Sequence, residues 1–171
     1  MMFTIPQRYF LEAHSIAESR PVDEAMLPAD IAEVSRYWTA RRSDCFAPSL
    51  RQFKLDELPP SVLPLATLVD VRVQPFDLVY RFWGSERTHQ QGVDYTGKSV
   101  NDVQPEVVSQ KIRKEYEAVC REKVPLHFIS SRTMDDGTKL EYHFIRLPLS
   151  ADGEKVTNIF CTEFNRSLEI S

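Results

Sequence analysis

The sequence predicts an α+β fold in which five short, mostly antiparallel strands form one sheet. A helical segment crosses one face of that sheet and an N-terminal helix covers the other. Three observations predict it. Alternating apolar residues run from Leu65 to Val73 and resume after "QPFD" in "LVYRFWGS". Near the C-terminus, two Asp-Gly turns, "DDGT" and "ADGE", separate three further β-prone runs, and this dipeptide is a strong short-range hairpin signal. Between these two groups the period changes, because Val108, Ile112, Tyr116 and Val119 with Cys120 recur at helical spacing.

Taken in order, residues 1–27 read as an arm or short helix ending near Arg20-Pro21. Residues 28–166 read as the domain with its leading helix, and 167–171 as a tail. The leading helix is carried by Leu27, Ile31, Val34 and Trp38, with Pro28 tolerated in its first turn. Four prolines in "CFAPSLRQFKLDELPPSVLP" forbid a continuous helix or ladder there and make it a fixed connector. The hairpin at 65–83 follows, with Asp70 and Arg72 opposite its apolar face. Residues 86–103 show no long clean period. The second long helix opens near Pro105 and stops before Pro125. Strands in "LHFISSRTM", "LEYHFIRLPLS" and "VTNIFCTEF" complete the sheet, and the middle one is apolar on both sides over part of its length. The helix around Trp38 is the natural cover for the second face, from its own chain or from a second copy, so a homodimer is an expectation.

Composition bounds the function. The 171 residues carry a formal net charge of −4, which offers no basic field for nucleic acid. No stretch approaches the roughly 20 apolar residues of a spanning helix, and "MMFTIPQRYFLEAHSIAESR" lacks a signal-peptide pattern, so the sequence reads as a cytoplasmic protein with no membrane partner. Three widely spaced cysteines, Cys45, Cys120 and Cys161, fit reduced thiols rather than a disulfide framework or a metal site. His14, His89, His127 and His143 include no pair at the i, i+4 spacing of a helical metal site. Nucleophile-elbow, phosphate-loop and dinucleotide fingerprints are missing.

Three of the five glycines fall in "VYRFWGSERTHQQGVDYTGKSVNDV". Together with "RYWTARR" and "LPLATLVDV", and with the order of two strands, short helices, one longer helix and three strands, this stretch resembles a bacterial PAS-like family of small sensory domains. The matching residues are Trp38, Tyr80, Arg81, Gly84, Gly92, Asp94, Thr96 and Gly97, and the resemblance spans roughly residues 35–165. It implies a sensory or regulatory module that binds a small ligand, a signalling protein partner, or both. No output domain follows the last strand in this sequence, so output is expected to pass to a separate partner or through self-association. The resemblance further implies that Gly84 turns the strand sharply, and that Gly92 and Gly97 each end a short helical turn in the left-handed conformation. For Arg81 two readings stand: an anchor for an acidic ligand, or a structural pair with Asp94 or another carboxylate. Trp83, His89, Tyr95, Phe128, Tyr142 and Phe144 are the candidate pocket residues, with core filling as the competing role for the aromatic ones.

The cofactor is left unknown. A haem-binding member would place its axial histidine on the longer helix, which has none, leaving His89 as the remaining candidate; a flavin photosensor would carry a reactive cysteine before that helix, and none is there. The rival reading is a small cone-shaped isomerase or dehydratase using an Asp/Tyr acid–base pair drawn from Asp70, Asp94, Tyr95 and Tyr142.

Overall fold

Period-two alternation becomes β-structure at each of the five expected places, and a sixth strand joins them from a stretch with no such pattern. The computed structural model describes residues 18–133 and 136–168. Its strands are β1 (Glu18–Pro21), β2 (Thr67–Val73), β3 (Phe76–Trp83), β4 (Leu126–Thr133), β5 (Lys139–Leu149) and β6 (Asn158–Leu168). They form one antiparallel sheet in the order β1-β4-β5-β6-β2-β3. The expected count of five is therefore corrected to six. Residues Glu18–Pro21, read as part of an arm, pair with Leu126–Ile129 through their backbone at the sheet edge. An edge strand of four mostly polar residues has no buried side-chain face to imprint on the sequence, and a terminal proline is tolerated there. Residues 1–17 and 169–171, which make up most of the predicted arm and tail, lie outside the described residues.

Among the described residues three α-helices accompany the sheet: α1 (Ala29–Arg41), α2 (Ser85–Gln91) and α3 (Glu106–Glu122). Pro28 and Pro105 stand at the N-caps of α1 and α3, one position earlier than a first-turn placement. α3 ends at Lys123, which adopts the left-handed conformation (φ 56°) and donates its N–H to the Val119 carbonyl at 2.9 Å.

The helices divide between the two faces. α1 and the proline-rich connector cover one, burying Ile31, Val34, Trp38, Phe53 and Leu58 against Leu68, Ile145, Leu147 and Phe160. Burying such side chains contributes roughly 1.5–3 kcal/mol each. Trp38 Nε1 donates to the Pro148 carbonyl at 2.7 Å, so the cover on this face comes from the same chain. On the opposite face α2, α3 and residues 92–105 lie over Val69, Leu78, Tyr80, Trp83, Leu126 and Ile159.

A β-bulge shapes that second face. Leu68 pairs with Phe82 but Val69 with Tyr80, which leaves Arg81 as the extra residue of β3. Residues three apart in a regular strand point to opposite faces, and the bulge brings Tyr80 and Trp83 onto the same one. Their ring centroids lie 4.8 Å apart, edge to face.

Candidate functional site

A cavity of about 110 Å³ lies between the sheet and helices α2 and α3. Its walls are largely aromatic: Tyr80 and Trp83 from β3, Tyr116 from α3, and Tyr142 and Phe144 from β5. Half-buried Gln90, Gln91, Lys111 and Ile112 mark the side that meets solvent.

Set into these walls are charged groups. Arg146 on β5 donates from Nη2 and Nε to the same oxygen of Glu115 on α3, at 2.6 and 3.1 Å. Both side chains are buried, 3% and 7% exposed. Burial opposes the Arg146 charge, and Cys161, Tyr116 and Glu115 around it hold its pKa well above the ordinary value, so it stays protonated. Its guanidinium lies 4.3 Å from the Tyr116 ring centroid and 5.4 Å from that of Phe144, within cation–π range. The second pair is Arg87 on α2 with Glu163 on β6, at 3.6 Å. Arg87 Nε also donates to the Leu65 carbonyl at 3.1 Å, and its guanidinium sits 5.2 Å from the Trp83 ring centroid. Lys111, one turn before Glu115, is the third cation; burial pushes its pKa down, with Glu115 opposing and Arg146 reinforcing the shift. Burial likewise raises the Tyr80 and Tyr116 hydroxyls, so both remain protonated donors or acceptors. Two polar atoms of the lining residues, Trp83 Nε1 and Glu115 Oε1, are buried with no hydrogen-bond partner among the described residues.

Of the residues the sequence proposed, Trp83, Tyr142 and Phe144 line the cavity. Tyr95 packs behind it, 5.0 Å from the Trp83 ring centroid, and Phe128 lies buried with its centroid 5.8 Å from the Arg146 guanidinium. His89 is exposed on α2 and contributes nothing to the lining, because its neighbour Arg87 occupies the buried side of that short helix. Arg81 does not pair with Asp94. The bulge turns it outward, where its Nε donates to Asp70 at 2.7 Å, while Asp94 instead accepts from the Thr96 amide and hydroxyl at 2.9 and 2.6 Å. Asp70 and Asp94 are both outside the cavity, so the Asp/Tyr pairs proposed for acid–base chemistry are not assembled around it.

The glycines also have causes the sequence did not reveal. Gly84 is extended (φ −63°, ψ 147°), and a Cβ there would lie 2.2 Å from the Pro64 carbonyl oxygen. Close backbone approach rather than a sharp turn requires glycine at this position. Gly92 does end α2 in the left-handed conformation (φ 72°), donating to the Thr88 carbonyl at 2.7 Å. Gly97 also adopts the expected left-handed conformation (φ 81°), but in the Tyr95–Lys98 turn rather than at the end of a helix, and its amide donates to the Tyr80 carbonyl at 2.7 Å, tying the segment to β3.

Sequence reasoning did not place Tyr80 or Tyr116 at the pocket, and it missed all five charged residues of the lining, Arg87, Lys111, Glu115, Arg146 and Glu163. A signal existed for two of these charges. Glu115 stands seven residues after Val108 on the apolar stripe of α3, and Arg146 shares a strand face with Tyr142 and Phe144. Both are charges at positions whose period says buried.

Among the described residues no group of three or more His, Cys, Asp or Glu side chains could hold a metal ion. No cysteine or histidine stands among the residues lining the cavity, and its volume is small beside the roughly 300–1,000 Å³ of drug-sized ligand sites, so the lining does not fit a haem or a flavin ring system. No helix among the described residues is long and apolar enough to cross a membrane.

No protein-family model matches the chain, and comparison with curated proteins finds no match. Among solved structures, one described as an RNA-binding light-oxygen-voltage receptor is similar, with a TM-score of 0.45 and 11% identity. That similarity covers 88% of this chain but 38% of the receptor chain.

Proposed function

We propose that this chain is a PAS-like sensory or regulatory module that binds a small molecule between its sheet and helices α2 and α3. The observation that carries this reading is the aromatic-walled cavity with ion pairs built into its lining and two buried polar atoms left without partners. An adaptor working without ligand would close this space with Trp83 and Tyr95, yet those rings pack on each other and the cavity stays open beside them. The order of elements and the residues from Tyr80 to Gly97 support the PAS-like assignment. A signalling partner or a second copy as the receiver of the signal follows from that resemblance.

The test is a screen of small metabolites against the purified protein by thermal denaturation. Ligand that binds only the folded state raises the midpoint by mass action, about 2.7 kcal/mol of stabilisation at a hundredfold excess over Kd. Ile112→Trp, which places a large ring at the half-buried side of the cavity, is expected to abolish the shift while the variant stays folded. A hit that stabilises the Trp variant equally would place the ligand elsewhere, and a screen without hits would count against the reading.

A further inference from the structure

The same cavity walls narrow the class of ligand, a step that rests on the ligand-binding function proposed for this site. We propose that the cavity takes a one-ring aromatic carboxylate, with the acid group balancing Lys111 and the ring held among Trp83, Tyr142 and Phe144.

Size sets the first limit. An apolar cavity of about 150 Å³ holds a benzene molecule, so the 110 Å³ here has room for at most one ring, with any substituent lying at the solvent side, and excludes fused ring systems. The flat ring follows from the walls. Aromatic side chains line the space from both strands, and offset or edge-to-face contacts reward a planar π-system over a saturated one of equal size.

Charge sets the third limit. Three cations line the cavity, Arg87, Lys111 and Arg146, against two carboxylates, Glu115 and Glu163. Glu163 stands by Arg87, while Glu115 accepts both hydrogen bonds from Arg146 and reaches Lys111 only through space. One positive charge is therefore left over, on the half-buried lysine at the solvent side. A neutral ring entering the cavity would strip water from that ammonium with nothing in return, whereas a carboxylate replaces the lost hydration by an ion pair in a medium of reduced dielectric. Glu115 Oε1, one helical turn from Lys111 and without a partner, adds an acceptor that a hydroxyl on the ring would satisfy.

The experiment is calorimetric titration of the full chain with benzoate, 3-hydroxybenzoate, phenol and cyclohexanecarboxylate. Benzoate is expected to bind about tenfold or more tightly than phenol or cyclohexanecarboxylate, and 3-hydroxybenzoate more tightly still. Lys111→Met should erase the preference for the acids and leave phenol unchanged, and Lys111→Arg should keep acid binding within a few-fold. Phenol binding as well as benzoate, or K111M binding benzoate like the parent, overturns the acid assignment while leaving a ligand site in place. If neither benzoate binds but the metabolite screen finds another occupant that Ile112→Trp blocks, the ligand class is wrong and the sensory reading stands. If nothing binds at all, both fall.

Discussion

On the α1 side of the sheet the buried polar pair is His127 with His143, whose ring nitrogens Nε2 and Nδ1 lie 2.8 Å apart; on the α3 side it is Glu115 with Arg146, at 2.6 Å. The histidines sit in close packing, His143 stacked on Phe164 at 4.4 Å, and His143 Nε2 lies 3.3 Å from Glu141. Burial, together with His143, Arg20 and Arg166 nearby, pushes His127 down to about 4, and burial lowers His143 too, so the histidine pair is buried neutral. The α3 side keeps its charges and leaves space next to them. A buried ion pair stabilises a fold little more than apolar groups of the same volume would. Under the ligand-binding proposal its position beside a cavity has a use, while the histidine pair sits where there is only packing.

The contrast between the two sides of the sheet depends most on Arg146. Arg146→Met leaves Glu115 buried without its partner and is expected to cost about 3–5 kcal/mol in urea denaturation, whereas the double variant Arg146→Met/Glu115→Leu should recover most of that loss. A single variant as stable as the parent would show that the α3 side does not depend on its charges. The histidine side is probed by pH. Both folded-state values lie below the unfolded value of about 6.5, so the unfolded chain takes up protons first. The contribution is complete above about pH 6.5 and is lost as pH falls toward 4, on the order of 2 kcal/mol between pH 7 and 4.5. Carboxylates elsewhere also respond in this range, so the informative quantity is the difference from His127→Leu/His143→Leu; equal slopes in the two proteins would refute the assignment.

Smaller effects test how α2 and the bulge hold the cavity wall. Gly84→Ala forces a Cβ against the Pro64 carbonyl and is expected to cost about 1–3 kcal/mol and to weaken ligand binding, since α2 starts at the next residue. An alanine variant with unchanged stability would mean the contact relaxes freely. Arg81→Ala removes an exposed partner of Asp70, and Asn158 Nδ2 still donates to the same carboxylate at 2.6 Å. Its expected cost is below about 1 kcal/mol, read from the denaturation midpoint, with no change in ligand affinity. A loss of affinity there would revive Arg81 as a ligand anchor.

Much of the fold was legible because its signals are local. Alternation from Leu65 to Val73, the stripe of Val108, Ile112, Tyr116 and Val119, and the two Asp-Gly turns each act within a few residues, and each became the expected element. The candidate site was legible only in its aromatic half. Trp83, Tyr142 and Phe144 stand out by residue type, whereas Arg81, open to a ligand-anchor or a structural reading in the sequence, takes the structural one: a one-residue bulge turns it to solvent, where it pairs with Asp70.

Sequence alone thus determined the order of the five longer strands and the two longer helices, since backbone propensity, side-chain period and turn chemistry are properties of neighbours along the chain; the edge strand β1 and the short helix α2 carry no such local signal. Tertiary structure decided which charges are inside. Glu115 meets Arg146, and Arg87 meets Glu163, only after α2 and α3 settle on strands that come later in the chain. Burial of a charge is tolerated or refused according to the partner it finds there, and no short window of sequence contains both members of either pair.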